Sequence, residues 1–290
     1  MTDSIQRFLF EGTPIRGELV HLQATWRAVL ERHDYPPVLR TLLGEAMAAC
    51  ALLAATLKFD GALVLQVQGS NPTRLMVVEC TSEGTLRATA KWSEPPAAAA
   101  GVRALLREAR CAITLIQPDA SQSYQGVVEV RGDSVAQMLM HYMLQSEQIE
   151  TTMLLAADAT GAAGMLLQRL PEARDEDADR WTRVRMLADT LQPAELLGLP
   201  AQTLLRRLFH EEDLRLFDAQ PLSFRCSCSR TRVESMLKML GPQEVQSVIA
   251  EQGRVEVTCE FCYRVWRFDP VDAAAVFAAT PAASQSHTRH

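Results

Sequence analysis

Short apolar or alternating runs, punctuated by Gly and Pro, fill roughly the first 170 positions. They predict strands over 14–22, 62–68, 74–79, 85–92, 112–116, 124–130 and 165–170. The punctuation falls at Gly61, Gly69, Pro72, Gly84 and Gly132. Two helices stand among these strands. Residues 37–57 are rich in Ala, Leu and Met, and 134–147 places Val135, Met138, Leu139, Tyr142 and Met143 on one face. Close-spaced strands with separate helices predict an α+β fold, an antiparallel sheet domain packed with helices, rather than a repeating βαβ unit. No phosphate-cradling glycine loop and no internal repeat occurs in this pattern.

The pattern changes at Pro171. Ten of the eighteen residues from Glu172 to Asp189 are charged, including the run Asp175-Glu176-Asp177-Ala178-Asp179-Arg180. Helical periodicity follows, with Pro193 and Pro200 at helix starts and Leu204, Leu205, Leu208 and Phe209 on an apolar stripe. Such a segment reads either as a surface connector or as a marginally stable stretch whose folding depends on its neighbours. Residues 222–270 then form a compact module. Thr231 and Glu234 have capping-box spacing for a helix bearing Val233, Met236, Leu237 and Leu240, which Gly241 ends. Pro242 starts a second helix, with Val245, Val248 and Ile249 inward and Gly253 as its stop; strands follow over 255–258 and 265–268. The expected domains are therefore 1–171, an α+β core; 172–221, a charged, helical, metastable linker; 222–270, a small four-cysteine module; and 271–290, a helix end and disordered tail.

Charge and composition narrow the function classes. The chain has 290 residues and a net charge of −6, so no global field draws it to nucleic acid or anionic lipid. The N-terminal residues lack the apolar region of an export signal, and the apolar run 46–57, bounded by Glu45 and Lys58, is too short to span a bilayer. The expected location is the reducing cytoplasm, where paired thiols bind metal or sense redox state more often than they form permanent disulfides.

Four of the seven cysteines carry the chemistry: Cys226-Ser-Cys228, thirty residues, then Cys259-Glu-Phe-Cys262 in the turn between the last two strands. Two tight thiol pairs can close a tetrahedral zinc site on Cys226, Cys228, Cys259 and Cys262. A C-x-C pair also sits near disulfide range, since its Cα atoms lie about 5.5–7 Å apart against the roughly 4.4–6.8 Å a disulfide needs. Oxidation within each pair would remove all four ligands, exchange a long cross-link for two tiny loops, and open the module. Three other readings share the motif: a permanently closed structural zinc site, a nucleic-acid-binding zinc module, and a dithiol oxidoreductase. The second lacks a basic footprint, with seven basic and six acidic residues over 222–270. The third lacks the helix expected after its C-x-x-C. Cys50, Cys80 and Cys111 fall in apolar helix or strand contexts and read as packing. His21, His33, His141 and His210 have no Ser or Asp at catalytic spacing, and His287 and His290 lie in the tail, so no catalytic residue is assigned and no enzyme is expected.

The segments Phe224-Arg-Cys226-Ser-Cys228-Ser-Arg230, Met236-Leu-Lys-Met-Leu-Gly241 and Glu256-Val-Thr-Cys259-Glu-Phe-Cys262 resemble the redox switch of the bacterial heat shock protein 33 family, the redox-regulated 33 kDa chaperonins. Ile15-Arg-Gly-Glu-Leu-Val20, Leu57-Lys-Phe-Asp-Gly61, Gln66-Val-Gln-Gly69, Ser146-Glu-Gln-Ile-Glu-Thr151 and Leu167-Gln-Arg-Leu-Pro171 extend the similarity through the N-terminal part. Gly69-Ser-Asn-Pro72 and Gly161-Ala-Ala-Gly164 depart from the family pattern in turns away from the cysteines. The resemblance implies an ATP-independent holdase that keeps unfolding or oxidatively damaged clients from aggregating. It implies one zinc per chain on the four cysteines in the reduced, silent state. Disulfides Cys226–Cys228 and Cys259–Cys262, loss of zinc, an unfolded linker and a homodimer would mark the active state, with a monomer when reduced. No nucleic acid and no membrane is implied as a partner. The alternative is a constitutive structural zinc module for protein or nucleic-acid binding.

Overall fold

A computed structural model describes residues 2–70, 72–94, 101–106, 108–117, 124–171 and 179–278. The acidic run over 175–178 and the tail over 280–290, with His287 and His290, lie outside the described residues. The chain divides into two compact units, Met1–Arg225 and Cys226–His290.

The first unit runs β1 (Ser4–Phe10), β2 (Ile15–Leu22), α1 (Ala24–Leu30), α2 (Pro37–Thr56), β3 (Ala62–Gln68), β4 (Thr73–Thr81), β5 (Thr85–Trp92), α3 (Val102–Leu105), β6 (Arg110–Ile116), β7 (Tyr124–Val128), α4 (Val135–Gln145), β8 (Glu150–Ala157) and β9 (Ala162–Arg169). It continues through α5 (Arg180–Ala188), α6 (Pro193–Gly198), α7 (Ala201–Leu208), β10 (Leu214–Leu216), β11 (Gln220–Pro221) and β12 (Ser223–Phe224). Two sheets result. One has the order β10-β1-β2-β9-β8, with β11 also on β1; the other runs β12-β5-β4-β3-β6-β7. Their pairings are antiparallel except for β12 on β5, so the expected α+β class is found.

Helix α2 lies between the sheets because it is apolar nearly all round. Its Leu39, Leu43, Met47, Cys50 and Leu52 share one core with Val20, Leu22 and Leu166 of the first sheet and Leu65, Met76, Val78 and Leu86 of the second. It is also long and apolar enough to cross a membrane by length and composition, but 72% of that window is buried inside the protein. Two arginines satisfy its C-terminal carbonyls, where the helix dipole favours cations. Arg7 Nη2 donates to Ala55 O at 2.8 Å and Arg16 Nη2 to Thr56 O at 3.5 Å. Buried Glu18 accepts from Arg7 Nε at 2.8 Å.

The opposite face of the first sheet carries helices α5–α7. Alternation along the strands sorts the two faces: Phe8, Phe10, Ile15, Leu19, Met165 and Leu167 point to Trp181, Val184, Leu204, Leu205, Leu208 and Phe209. Phe10 and Phe209 meet edge to face at 5.1 Å. His21 adds a polar tie, its buried Nε2 lying 2.9 Å from Leu196 O of α6. The highly charged stretch thus ends in helices that contribute a full apolar layer. The strap from β11 to β12 crosses from one sheet to the other: Leu222 N–H donates to Asp3 O at 3.0 Å, and Arg225 N–H to Leu86 O at 3.1 Å.

The second unit contains α8 (Arg230–Leu240), α9 (Pro242–Gln252), the hairpin β13 (Val255–Thr258) and β14 (Val265–Phe268), and α10 (Pro270–Ala278). Its core is small: Val233, Leu237, Val245, Val255, Phe268, Ala273 and Val276. Both glycine stops occur where expected, Gly253 in the left-handed region at φ 77° and Gly241 at φ 90°. The cap of α8 differs from expectation. Ser229, not Thr231, is the N-cap, with Oγ accepting from Arg232 N–H at 3.2 Å. Thr231 falls inside the first turn because the helix begins at Arg230, directly after the cysteine pair.

Candidate metal centre

The first cysteine pair enters the site from an extended segment. Cys226 and Cys228 precede the Ser229 cap, and Arg232 Nη1 donates to Ser227 Oγ at 2.5 Å between them. The second pair is presented by the turn of the β13–β14 hairpin. Cys259 N–H donates to Arg264 O at 3.0 Å and Tyr263 N–H to Cys259 O at 2.8 Å, while Tyr263 sits at φ 59°. A non-glycine residue in that region is strained and is held there by its surroundings.

These local features bring the four sulfurs of Cys226, Cys228, Cys259 and Cys262 within 4.8 Å of one another. Cys226 Sγ lies 3.6 Å from Cys259 Sγ, and Cys228 Sγ lies 3.4 Å from Cys262 Sγ. A tetrahedral thiolate site with bonds of about 2.3 Å has sulfur–sulfur edges of about 3.8 Å. A disulfide needs about 2.05 Å. The separations therefore match an ion-centred tetrahedron and not a bonded pair. The chemistry of the donors agrees, since soft thiolates at this spacing suit zinc.

Electrostatics points the same way. Burial pushes the Cys226 thiol up, but the Cys228 backbone N–H and the other three thiols donate to its sulfur and hold it below its ordinary value. Burial raises Cys228 and Cys259, helped by their thiol hydrogen bonds within the cluster. Crowding thus favours the thiolate at Cys226 and opposes it at Cys228 and Cys259. Deprotonating all four requires a cation among them.

The remaining cysteines are placed elsewhere. Cys50, Cys80 and Cys111 are buried in the first unit. Burial pushes Cys80 and Cys111 up to about 12 and Cys50 well above its ordinary value, which leaves almost no nucleophilic thiolate. His21 is tied to Leu196, and His33 packs on Tyr35 with ring centres 4.9 Å apart. Sequence reasoning overlooked Arg230, which surrounds itself with partners from three elements of the second unit. Its only signal was an arginine directly after the pair and its following serine.

Comparison with known proteins accords with this geometry. A family model described as Hsp33 protein matches residues 3–269. The 33 kDa chaperonin of Chromobacterium violaceum is 50% identical over 290 residues, covering 99% of this chain and 98% of that one. The 33 kDa chaperonin of Methylobacillus flagellatus is 49% identical over 292 residues, covering 100% and 99%. Among solved structures, the 33 kDa chaperonin (heat shock protein 33 homolog) of Thermotoga maritima superposes with a TM-score of 0.81 at 20% identity, covering 95% of this chain and 98% of that one, a likeness of fold. With a family match over nearly its whole length and relatives at about half identity, the chain belongs to the Hsp33 family.

Proposed function

We propose that this chain is a redox-regulated, ATP-independent holdase, silent while its four clustered thiols are reduced and metal-bound and active once they are oxidised. The observation that carries the reading is the convergence of Cys226, Cys228, Cys259 and Cys262 within 4.8 Å in a unit with only a small apolar core. The name 33 kDa chaperonin borne by the relatives supports the chaperone half. Four thiolates at tetrahedral spacing favour one Zn2+ per chain, which when bound would cross-link the two ends of this unit.

The chain's own sulfurs perform the switch. Cys226 and Cys228 form one reacting pair, Cys259 and Cys262 the other, with a peroxide as oxidant. One thiol takes an oxygen atom from the peroxide and becomes a sulfenic acid, releasing water. Its neighbour's sulfur then displaces a second water and forms the disulfide. Each pair gives up two electrons, so four thiols consume two peroxides and yield four waters. No donor remains for a metal. Sulfur contacts of 3.6 and 3.4 Å also run between the motifs, so the pairing within motifs rests on sequence neighbours staying together while the unit opens.

Residues 172–221 act in this reading as the metastable linker between a core of residues 1–171 and a switch of residues 222–270. Release of α5–α7 would uncover Phe8, Phe10, Ile15, Leu19, Met165 and Leu167, a contiguous apolar face for unfolded client chains. The oxidised form is a homodimer, the reduced form a monomer, and the setting is the cytoplasm. The deciding experiment follows aggregation of a denaturant-unfolded client, without ATP, before and after peroxide treatment. Metal content, disulfide mapping and sedimentation are recorded in parallel. Expected are one zinc and little protection when reduced, then two within-motif disulfides, no zinc and strong protection when oxidised. Equal protection in both states, zinc retained through activation, or bridges joining Cys226 to Cys259 would refute the reading. Cys259→Ser should hold metal more weakly and raise basal protection.

A further inference from the structure

The first cysteine pair is followed at once by a side chain that binds three separate elements of its unit. Arg230 is the first residue of α8, two positions after Cys228. Its Nη2 donates to Asp272 Oδ1 of α10 at 2.8 Å, and its Nε lies 3.2 Å from Glu234 Oε1 one turn along α8. Its Nη1 reaches Arg267 O of β14 at 3.4 Å. The guanidinium also lies 4.4 Å from the ring centre of Phe268, which is fully buried. Asp272 is itself fixed, its N–H donating to Asp269 Oδ1 at 2.7 Å at the start of α10. Ala273 and Val276 of the same helix fill the core of the unit. The family match stops at residue 269, one position before α10, so the brace joins the cysteine pair to a helix beyond the matched region.

We propose that Arg230 and α10 form a brace that specifically protects Cys226 and Cys228, and so sets which cysteine pair reacts first. Exposed ion pairs contribute little alone, and both Arg230 and Asp272 are about two-fifths exposed. A planar fork that pairs with two carboxylates, reaches a carbonyl and stacks on an aromatic face is a different case. It holds the start of α8 against β14 and α10 through one side chain. The four thiols are only partly exposed, so a reagent labels them faster in locally opened states and its rate rises with the opening population. Without the brace, the start of α8 opens, and Cys226 and Cys228 open with it. The hairpin that carries Cys259 and Cys262 keeps its own backbone bonds.

The inference deepens the switch reading by assigning its order, and alkylation tests it independently of any oxidant. The full-length reduced protein is pulsed with N-ethylmaleimide, and each thiol is followed by mass spectrometry. Arg230→Ala should speed labelling of Cys226 and Cys228 about tenfold relative to Cys259 and Cys262, and Asp272→Asn about threefold. Arg230→Lys should fall between these, because lysine keeps the charge but not the fork or the stacking. The Arg230→Ala/Asp272→Asn double variant should gain little over Arg230→Ala. Val245→Ala, a cavity in the core of the same unit, should speed all four thiols alike. Equal acceleration of both pairs by Arg230→Ala, or none, overturns the proposal, and Arg230→Lys decides the matter if the alanine variant does not fold. A wild-type chaperone activity indifferent to peroxide would instead sink the switch reading, with the labelling order still read from the same pulse.

Discussion

Glu45 should make the first unit more stable in mild acid than at neutral pH. It sits on α2, between the two sheets, beside buried Leu42, Ala48 and Ala49. No ion pair or hydrogen bond reaches its carboxyl among the described residues. Burial alone pushes it up to about 7 from the ordinary 4.5. The folded state therefore holds this proton more tightly than the unfolded chain does. Its contribution is fully present below pH 4.5, is lost as the pH rises towards 7, and is constant above that. At about 1.4 kcal/mol per pH unit the gap corresponds to roughly 3 kcal/mol, and to about 2 once partial contact with water is allowed for. Glu45→Gln removes the ionisation and keeps the shape. At pH 8 it should raise the melting temperature of the reduced protein by about 5 °C, and at pH 4.5 by almost nothing. Calorimetry of variant and parent at matched pH reads the difference directly. A shift of the same size at both pH values, or a loss of stability at pH 8, would mean that a partner compensates the carboxylate and that desolvation does not govern this site.

Substitutions at Gly17 and at the three buried cysteines probe the first unit. A Cβ at Gly17 would lie 2.1 Å from Phe8 Cζ, so Gly17→Ala should displace Phe8 from Phe209 at a cost of about 1–3 kcal/mol. Limited proteolysis should then cut α5–α7 faster in the reduced protein, and unchanged cleavage would show that this layer adapts. Replacing Cys50, Cys80 or Cys111 by Ala should leave four peroxide-sensitive thiols and an unaltered redox response, as counted by thiol titration; dependence on any of the three would contradict their burial.

The elements legible in the sequence were those whose pattern had one cause. Strands β3 and β5 have the expected bounds, 62–68 and 85–92, because β3 is an apolar run between Gly61 and Gly69 and β5 alternates after the turn at Gly84. The β13–β14 hairpin and its cysteine turn were equally plain. Strands β1 and β8 were not, although both belong to the first sheet. β1 interrupts its apolar alternation with Gln6 and Arg7, and Arg7 is there to meet Glu18 and the end of α2, a reason that exists only after folding. The short strands β10, β11 and β12 owe their conformation to the edges they pair with. The four candidate ligands were readable because metal sites impose spacing on the chain. Arg230 was not, since its partners Asp272 and Phe268 come from the far end of the unit.

The distribution of apolar burial explains why a redox device would sit where these cysteines do. The first unit shares two large cores across two sheets and several helices, whereas the core of the second holds seven buried side chains among the described residues. A metal held by all four thiols would bridge the two pairs across some thirty residues, and such binding is worth about 10–16 kcal/mol in zinc-finger peptides, whereas disulfides within Cys226–Cys228 and Cys259–Cys262 would close loops of only three and four residues. For a unit this small the difference is comparable to its whole stability. On the proposed reading the chemistry therefore acts where a few kcal/mol decide the outcome.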